Sequence, residues 1–146
     1  MAIDHGLARI GIAMCDPDET IASPYEVWRN EGSLTARRLA ALTREESVEA
    51  IVVGLPRHHD GTESATAGAV REFAGWLEAE LAATPGARPA PLPITFWNES
   101  LTSVEADRIL AERGVRPMAR KKILDAVAAA LILEDLIASR RDRGLR

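Results

Sequence analysis

A chain of 146 residues, 47% hydrophobic and 27% charged, carries enough apolar surface to bury one real core and is the size of one ordinary domain. It has no run of 18 apolar residues and no basic segment leading into an apolar stretch, which argues against a membrane span or secretory leader and for a soluble, cytoplasmic protein. The net charge of -4 argues against a general nucleic-acid coat protein, and the single Cys15, set in an apolar run, excludes an internal disulfide and reads as a buried, inert thiol.

Residues 2–5 and 9–15 read as two strands around a tight turn at Gly6. Residues 21–28 can make a third, with Pro24 best tolerated on an edge. The period then changes. Leu34, Leu39 and Leu42 predict a helix over 33–47, with Ser33 as its cap. The continuous apolar run "AIVVGLP" (50–56) predicts a strand buried on both faces. Thr62 to Leu81 is helical by its stripe of Val70, Phe73, Trp76 and Leu77. Four prolines make 83–93 a loop, "ITFW" (94–97) is a further strand, and a helix runs from Thr102 to Arg113. The last and longest helix spans Pro117 to about Arg141.

The order βββαβαβ followed by helices predicts an α/β domain over 1–146 with a five-stranded mixed sheet. An antiparallel meander joins parallel strands, with helices on both faces; if the order is 3-2-1-4-5, Glu99 lies two strands from Asp4.

Three carboxylates stand out on this scaffold. Asp4 lies in the first, central strand, where an acid is costly unless paired or metal-bound; a turn aspartate bonding the amides near Gly6 is the structural alternative. Glu99 follows a strand end, where sites form in α/β sheets. A capping box of Thr102 and Glu105 explains those two residues but not Glu99. Asp125 has Ala128, Ala129 and Ile132 on its helical face, a face fit to lie close against a sheet. An ion pair with Lys121 or Lys122 would be its structural explanation. Three acids from three elements suit a hard divalent cation, Mg²⁺ or Mn²⁺, and a pair of such ions supports phosphodiester cleavage. His58, His59 and Asp60 could add a ligand or base, although Asp60-Gly61 also reads as a turn.

"RGVRPMARKK" (113–122) holds five basic residues and no acid, directly before the helix of Asp125. Lys121 and Lys122 oppose the helix dipole there, so they are poor choices for helix stability and good ones for phosphate. Arg9, Arg116, Arg120, Lys121 and Lys122 are the candidate nucleic-acid contacts.

The stretches "IDHGLARIGIAMCDP", "IASPYEV", "VEAIVVGLPRHHDGTES", "FWNESLTSVEA" and "RKKILDAVAAALILEDLI" resemble, in order and spacing, the YqgF/RuvX family of the RNase H-like superfamily. The resemblance implies an RNase H-like fold and a metal-dependent nuclease whose acids are Asp4, Glu99 and Asp125. It implies processing of the 5′ end of pre-16S ribosomal RNA, or resolution of Holliday junctions in branched DNA. Junction resolution normally needs paired sites, so a homodimer would favour it over a monomer. Where the family usually has Asp-Glu-Arg, this chain has Asn98-Glu99-Ser100, which keeps a non-catalytic nucleic-acid-binding module as an alternative. An actin-like phosphotransferase shares the aspartate–glycine hairpin but needs two such domains around its nucleotide.

Overall fold

Alternating apolar residues in five short strands decide which helix covers which face. The computed structural model describes residues 1–58, 60–83, 92–99 and 102–144, with the side chains of Glu99, Thr102 and Ser103 outside that description. Its elements are β1 (Ala2–His5), β2 (Arg9–Cys15), β3 (Ala22–Arg29), α1 (Ser33–Glu45), β4 (Ile51–Pro56), α2 (Ala67–Ala82), β5 (Ile94–Glu99), α3 (Thr102–Glu112) and α4 (Pro117–Asp142). The sheet order is β3-β2-β1-β4-β5. β1, β2 and β3 pair antiparallel, and β4 pairs parallel with both β1 and β5.

One face of the sheet presents Ile3, Ile10, Ile12, Ile51 and Val53 to Leu39 of α1 and to Val70, Phe73 and Leu77 of α2. These side chains are large, branched or aromatic, and they form the main core. The other face is built from small residues. Ala2, Ala13 and Val52 meet Ala129, Ala130, Ile132 and Leu133 of α4. Small side chains on both partners let the helix backbone come close to the sheet, and Gly11 marks the closest approach. A Cβ at Gly11 would fall on the carbonyl of Asp125 and lie 2.7 Å from the nitrogen of Ala126.

Pro24 sits opposite Ala13 in the edge strand, at a bulge after Ile12, so its missing N–H costs the ladder little. Two local expectations are corrected. Ser33 is the first helical residue of α1; the cap position is Gly32, at φ 62°, with no side-chain cap bond. The second helix starts at Ala67 rather than Thr62. Asp60 captures the preceding segment by accepting from the Thr62 amide at 2.9 Å and its hydroxyl at 2.6 Å, and Arg57 bridges Glu63. A carboxylate two residues before a threonine offers the backbone an alternative to helix, and here it wins.

Candidate active site

Asp4 stands directly opposite Gly11 in the β1–β2 register, so the two residues share one face of the sheet. That face is the one α4 covers, and Gly11 is where the Asp125 carbonyl rests. Directly opposed residues are about 4.5–5.5 Å apart at their α-carbons. The fold therefore sets Asp125 one strand spacing to the side of Asp4. Asp4 is 9% exposed, a buried acid in the central strand with a polar partner of its own. The same face carries the apolar cluster of Ala2, Ala13 and the α4 alanines, so an acid there needs a partner.

The partner of Asp125 is neither Lys121 nor Lys122. Arg9 Nε donates to Asp125 Oδ2 at 2.8 Å, across 116 residues of chain. Arg9 lies two residues before Gly11 on β2, which puts its side chain on the same face as Asp4. A guanidinium thus already sits against the carboxylate that the sequence nominates as a cation ligand.

Glu99 closes β5 opposite Pro56, and Gly54 pairs with Trp97. Ala2 and Ile3 of β1 pair with Val52 and Val53 of β4, so the register carried one step further sets Asp4 level with Gly54. Backbone position 99 is then two strands across and two residues beyond Asp4, roughly 10 Å by about 7 Å from strand geometry. Gly54 carries no side chain in the lane between them. The Glu99 side chain and the Thr102 half of the expected capping box lie outside the described residues, as does His59. Among the described residues no three His, Cys, Asp or Glu side chains form a metal-sized cluster. Asp60 is held below the usual carboxylate range by its two bonds from Thr62, and Gly61 has φ 85°, so this loop carries the expected turn. Burial pushes the Cys15 thiol up, in keeping with an unreactive cysteine.

The basic island divides in two. Arg120 is turned inward: Nε lies 3.0 Å from Asp107 Oδ1 as an ion pair without hydrogen-bond alignment, and Nη1 donates to the Val115 carbonyl at 3.2 Å. It ties α3 to the first turn of α4. Arg116, Lys121 and Lys122 are exposed, with Arg116 at the N-cap of α4 and Pro117 opening the helix. These three, with exposed Arg113 just before them, present charge to a polyanion near the positive end of the helix dipole.

The family model described as "RuvX: Holliday junction resolvase" matches residues 1–139. The chain belongs to the RuvX family, a family of nucleases. A relative from Lachnospira eligens, named "Putative pre-16S rRNA nuclease", is 37% identical over 97% of both chains. A relative of the same name from Mycobacteroides abscessus is 39% identical over 99% of this chain and 83% of its own. Among solved structures, Thermus thermophilus RuvC superposes with a TM-score of 0.53 at 16% identity, covering 96% of this chain and 94% of that one. The same protein in complex with a Holliday junction substrate gives 0.51 at 17% identity, over 95% and 93%. Likeness at that identity speaks to the fold, and the fold of this RuvX member is RNase H-like.

One feature of the site was open to sequence reading: a glycine inside a strand marks close backbone approach, and Gly11 is such a glycine. The Arg9–Asp125 pair has no comparable signal, because no spacing rule links residues so far apart.

Proposed function

We propose that residues 1–146 act as one metal-dependent nuclease domain on structured RNA, with the 5′ end of pre-16S ribosomal RNA as substrate. The observation that carries this reading is the placement of Asp4 and Asp125 on one small-residue face, with exposed Arg116, Lys121 and Lys122 at the start of the helix that bears Asp125. The names of the 37–39% identical relatives support the RNA substrate.

The donor chemistry fits Mg²⁺ or Mn²⁺. Asp4 and Asp125 offer hard oxygens, and Glu99 is the proposed third acid. Two carboxylates on one face would share a cation favourably, and Arg9 supplies one positive charge beside Asp125. When bound, the metal supplies Lewis acidity toward the phosphate and lowers the pKa of an attacking water. The protein's own part is to hold the acids on a backbone that packing prevents from shifting, to draw phosphates through Arg116, Lys121 and Lys122, and to balance Asp125 through Arg9. Arg9, 44% exposed at its side chain, would also be within reach of solvent and so available to a phosphate.

The test is cleavage of a 5′-extended 16S precursor RNA and of a four-way DNA junction, with Mg²⁺ or Mn²⁺ and with EDTA, beside an Asp4→Asn control. Metal-dependent trimming of the RNA supports the reading; full activity in excess EDTA overturns it. Junction resolution is the second reading, favoured by the family description and the fold shared with RuvC. Preferential cleavage of the junction by a stable homodimer would put it first. Ribosomal RNA as substrate places the reaction in the cytoplasm, and no helix among the described residues is long and apolar enough to cross a membrane.

A further inference from the structure

The turn between β1 and β2 carries a side chain that metal binding and phosphate contact leave without a task. Leu7, at its tip, is 72% exposed. Single exposed leucines are ordinary on protein surfaces and need no explanation. This one differs in where it stands and in how firmly it is held.

The turn is tied down on every side. The Gly6 amide donates to the Arg9 carbonyl at 2.8 Å, and the Asn30 amide donates to the Ala8 carbonyl at 2.9 Å. Asn30 Nδ2 donates to the Gly6 carbonyl at 2.8 Å and lies 3.1 Å from His5 Nε2. Asn30 Oδ1 accepts from the Gly32 amide at 2.9 Å. The orientation of the Asn30 side chain is thereby settled, since a flipped amide would set oxygen against oxygen at Gly6 and nitrogen against nitrogen at Gly32. Position 6 admits only glycine, because a Cβ there would lie 2.6 Å from the Arg9 carbonyl oxygen. The His5 ring packs on Phe73 and anchors the strand end in the main core.

The turn runs from His5, next to Asp4 on β1, to Arg9 on β2, and Arg9 reaches Asp125. Leu7 is therefore presented by a bonded turn at the C-terminal end of β1, three residues after Asp4 and two before Arg9. A phosphate offers nothing to an aliphatic side chain and a ribose little, whereas the face of a base offers a broad apolar contact. Apolar side chains inserted at base steps unstack them and hold them open.

We propose that Leu7 is a specificity-determining contact that packs on the base flanking the scissile phosphate and keeps that base out of its stack. This inference rests on the nuclease reading above. Cleavage is then favoured at positions where the flanking base is unpaired or easily unstacked, and Asn30 acts as the positioning residue for the turn.

The experiment uses a structured RNA cleaved by the wild-type protein at a mapped phosphate, in two forms: the flanking base paired, or replaced by an abasic site. Single-turnover rates and KM are measured for wild type, Leu7→Ala and Leu7→Met, with Tm as a check on folding. On the paired form Leu7→Ala should cleave about tenfold more slowly, the scale of a leucine side chain partly buried against a base, and Leu7→Met should restore the rate. On the abasic form wild type and Leu7→Ala should differ by less than about twofold, since no base remains to be held. Equal rates for Leu7→Ala and wild type on the paired form overturn the inference, as does an equal loss on both forms. A wild-type protein that cleaves neither RNA nor junction DNA overturns the nuclease reading itself and this inference with it.

Discussion

The carbonyl of Asp125 rests on the α-carbon of Gly11, so closely that a methyl group at Gly11 would take the carbonyl's place. Asp4 faces the same glycine from the neighbouring strand. One absent side chain thus brings a central strand and the longest helix together at the proposed catalytic acids. Gly11→Ala should push α4 outward, lower stability by about 3 kcal/mol, and remove activity at temperatures where the variant is still folded. Urea unfolding and a cleavage assay at low temperature measure the two effects separately. A Gly11→Ala protein with unchanged stability would mean that α4 is not seated as described.

Asp4→Asn and Asp125→Asn should each abolish cleavage while the protein stays folded. Asp4→Asn should hold or raise Tm without metal, because it relieves carboxylate repulsion. Arg9→Gln removes an ion pair whose arginine is 44% exposed, so its effect on stability should stay below about 1 kcal/mol. Circular dichroism melts and metal titrations read both sets. Unfolding of both asparagine variants would make the acids structural partners rather than ligands.

The two basic classes should separate by experiment. Replacing Arg116, Lys121 and Lys122 with Gln should weaken RNA binding across sequences alike, flattening the plot of log K against log salt by roughly 0.7–0.9 per lost phosphate contact. Arg120→Ala should act instead on stability, by about 1–2 kcal/mol, through the lost tie between α3 and α4. A salt slope unchanged in the triple variant would reduce that surface to solvated charge.

Glu99→Gln should remove most activity, and Asn98→Asp should change it only modestly, if position 99 supplies the third acid. Metal titration of both variants, read by cleavage rate, decides between them. A gain of orders of magnitude from Asn98→Asp with little loss from Glu99→Gln would move the ligand to position 98 and bring the binding-module alternative forward.

The β2–β3 loop supplies a pH dependence of known sign. Asp16 is lowered from 3.8 to about 2, first by the Thr20 hydroxyl and then by the Ile21 amide that donate to it. A depressed folded-state value means that protons bind the unfolded chain first. The stabilisation is complete above about pH 4 and is lost as pH falls from there toward 2. Asp16→Asn should therefore show a shallower loss of urea midpoint over that window than wild type, with the two curves parallel above it. Curves parallel throughout would show that the loop does not retain this bonding in solution.

Much of the fold can be read along the chain because faces are encoded locally. Period-two alternation in Ile10 and Ile12, the unbroken run of β4, and the small face of α4 state which side of each element is buried. A few residues of context suffice, since strand and helix geometry alone project those side chains. That is also why Asp4 and Asp125 announce themselves: each is an acid on a face otherwise apolar. What the sequence could not determine is who meets whom across that face. The Arg9–Asp125 ion pair, the inward turn of Arg120 onto Asp107, and the Asn30 clamp on the β1–β2 turn join elements whose relative height is set only when the whole sheet is packed. The start of α2 was lost to local reading for a different reason. Asp60 offers the backbone a hydrogen bond that competes with helix, and the balance is tipped by the Ser64 amide reaching the Pro56 carbonyl at the end of β4, a contact that exists only once the strand is in place.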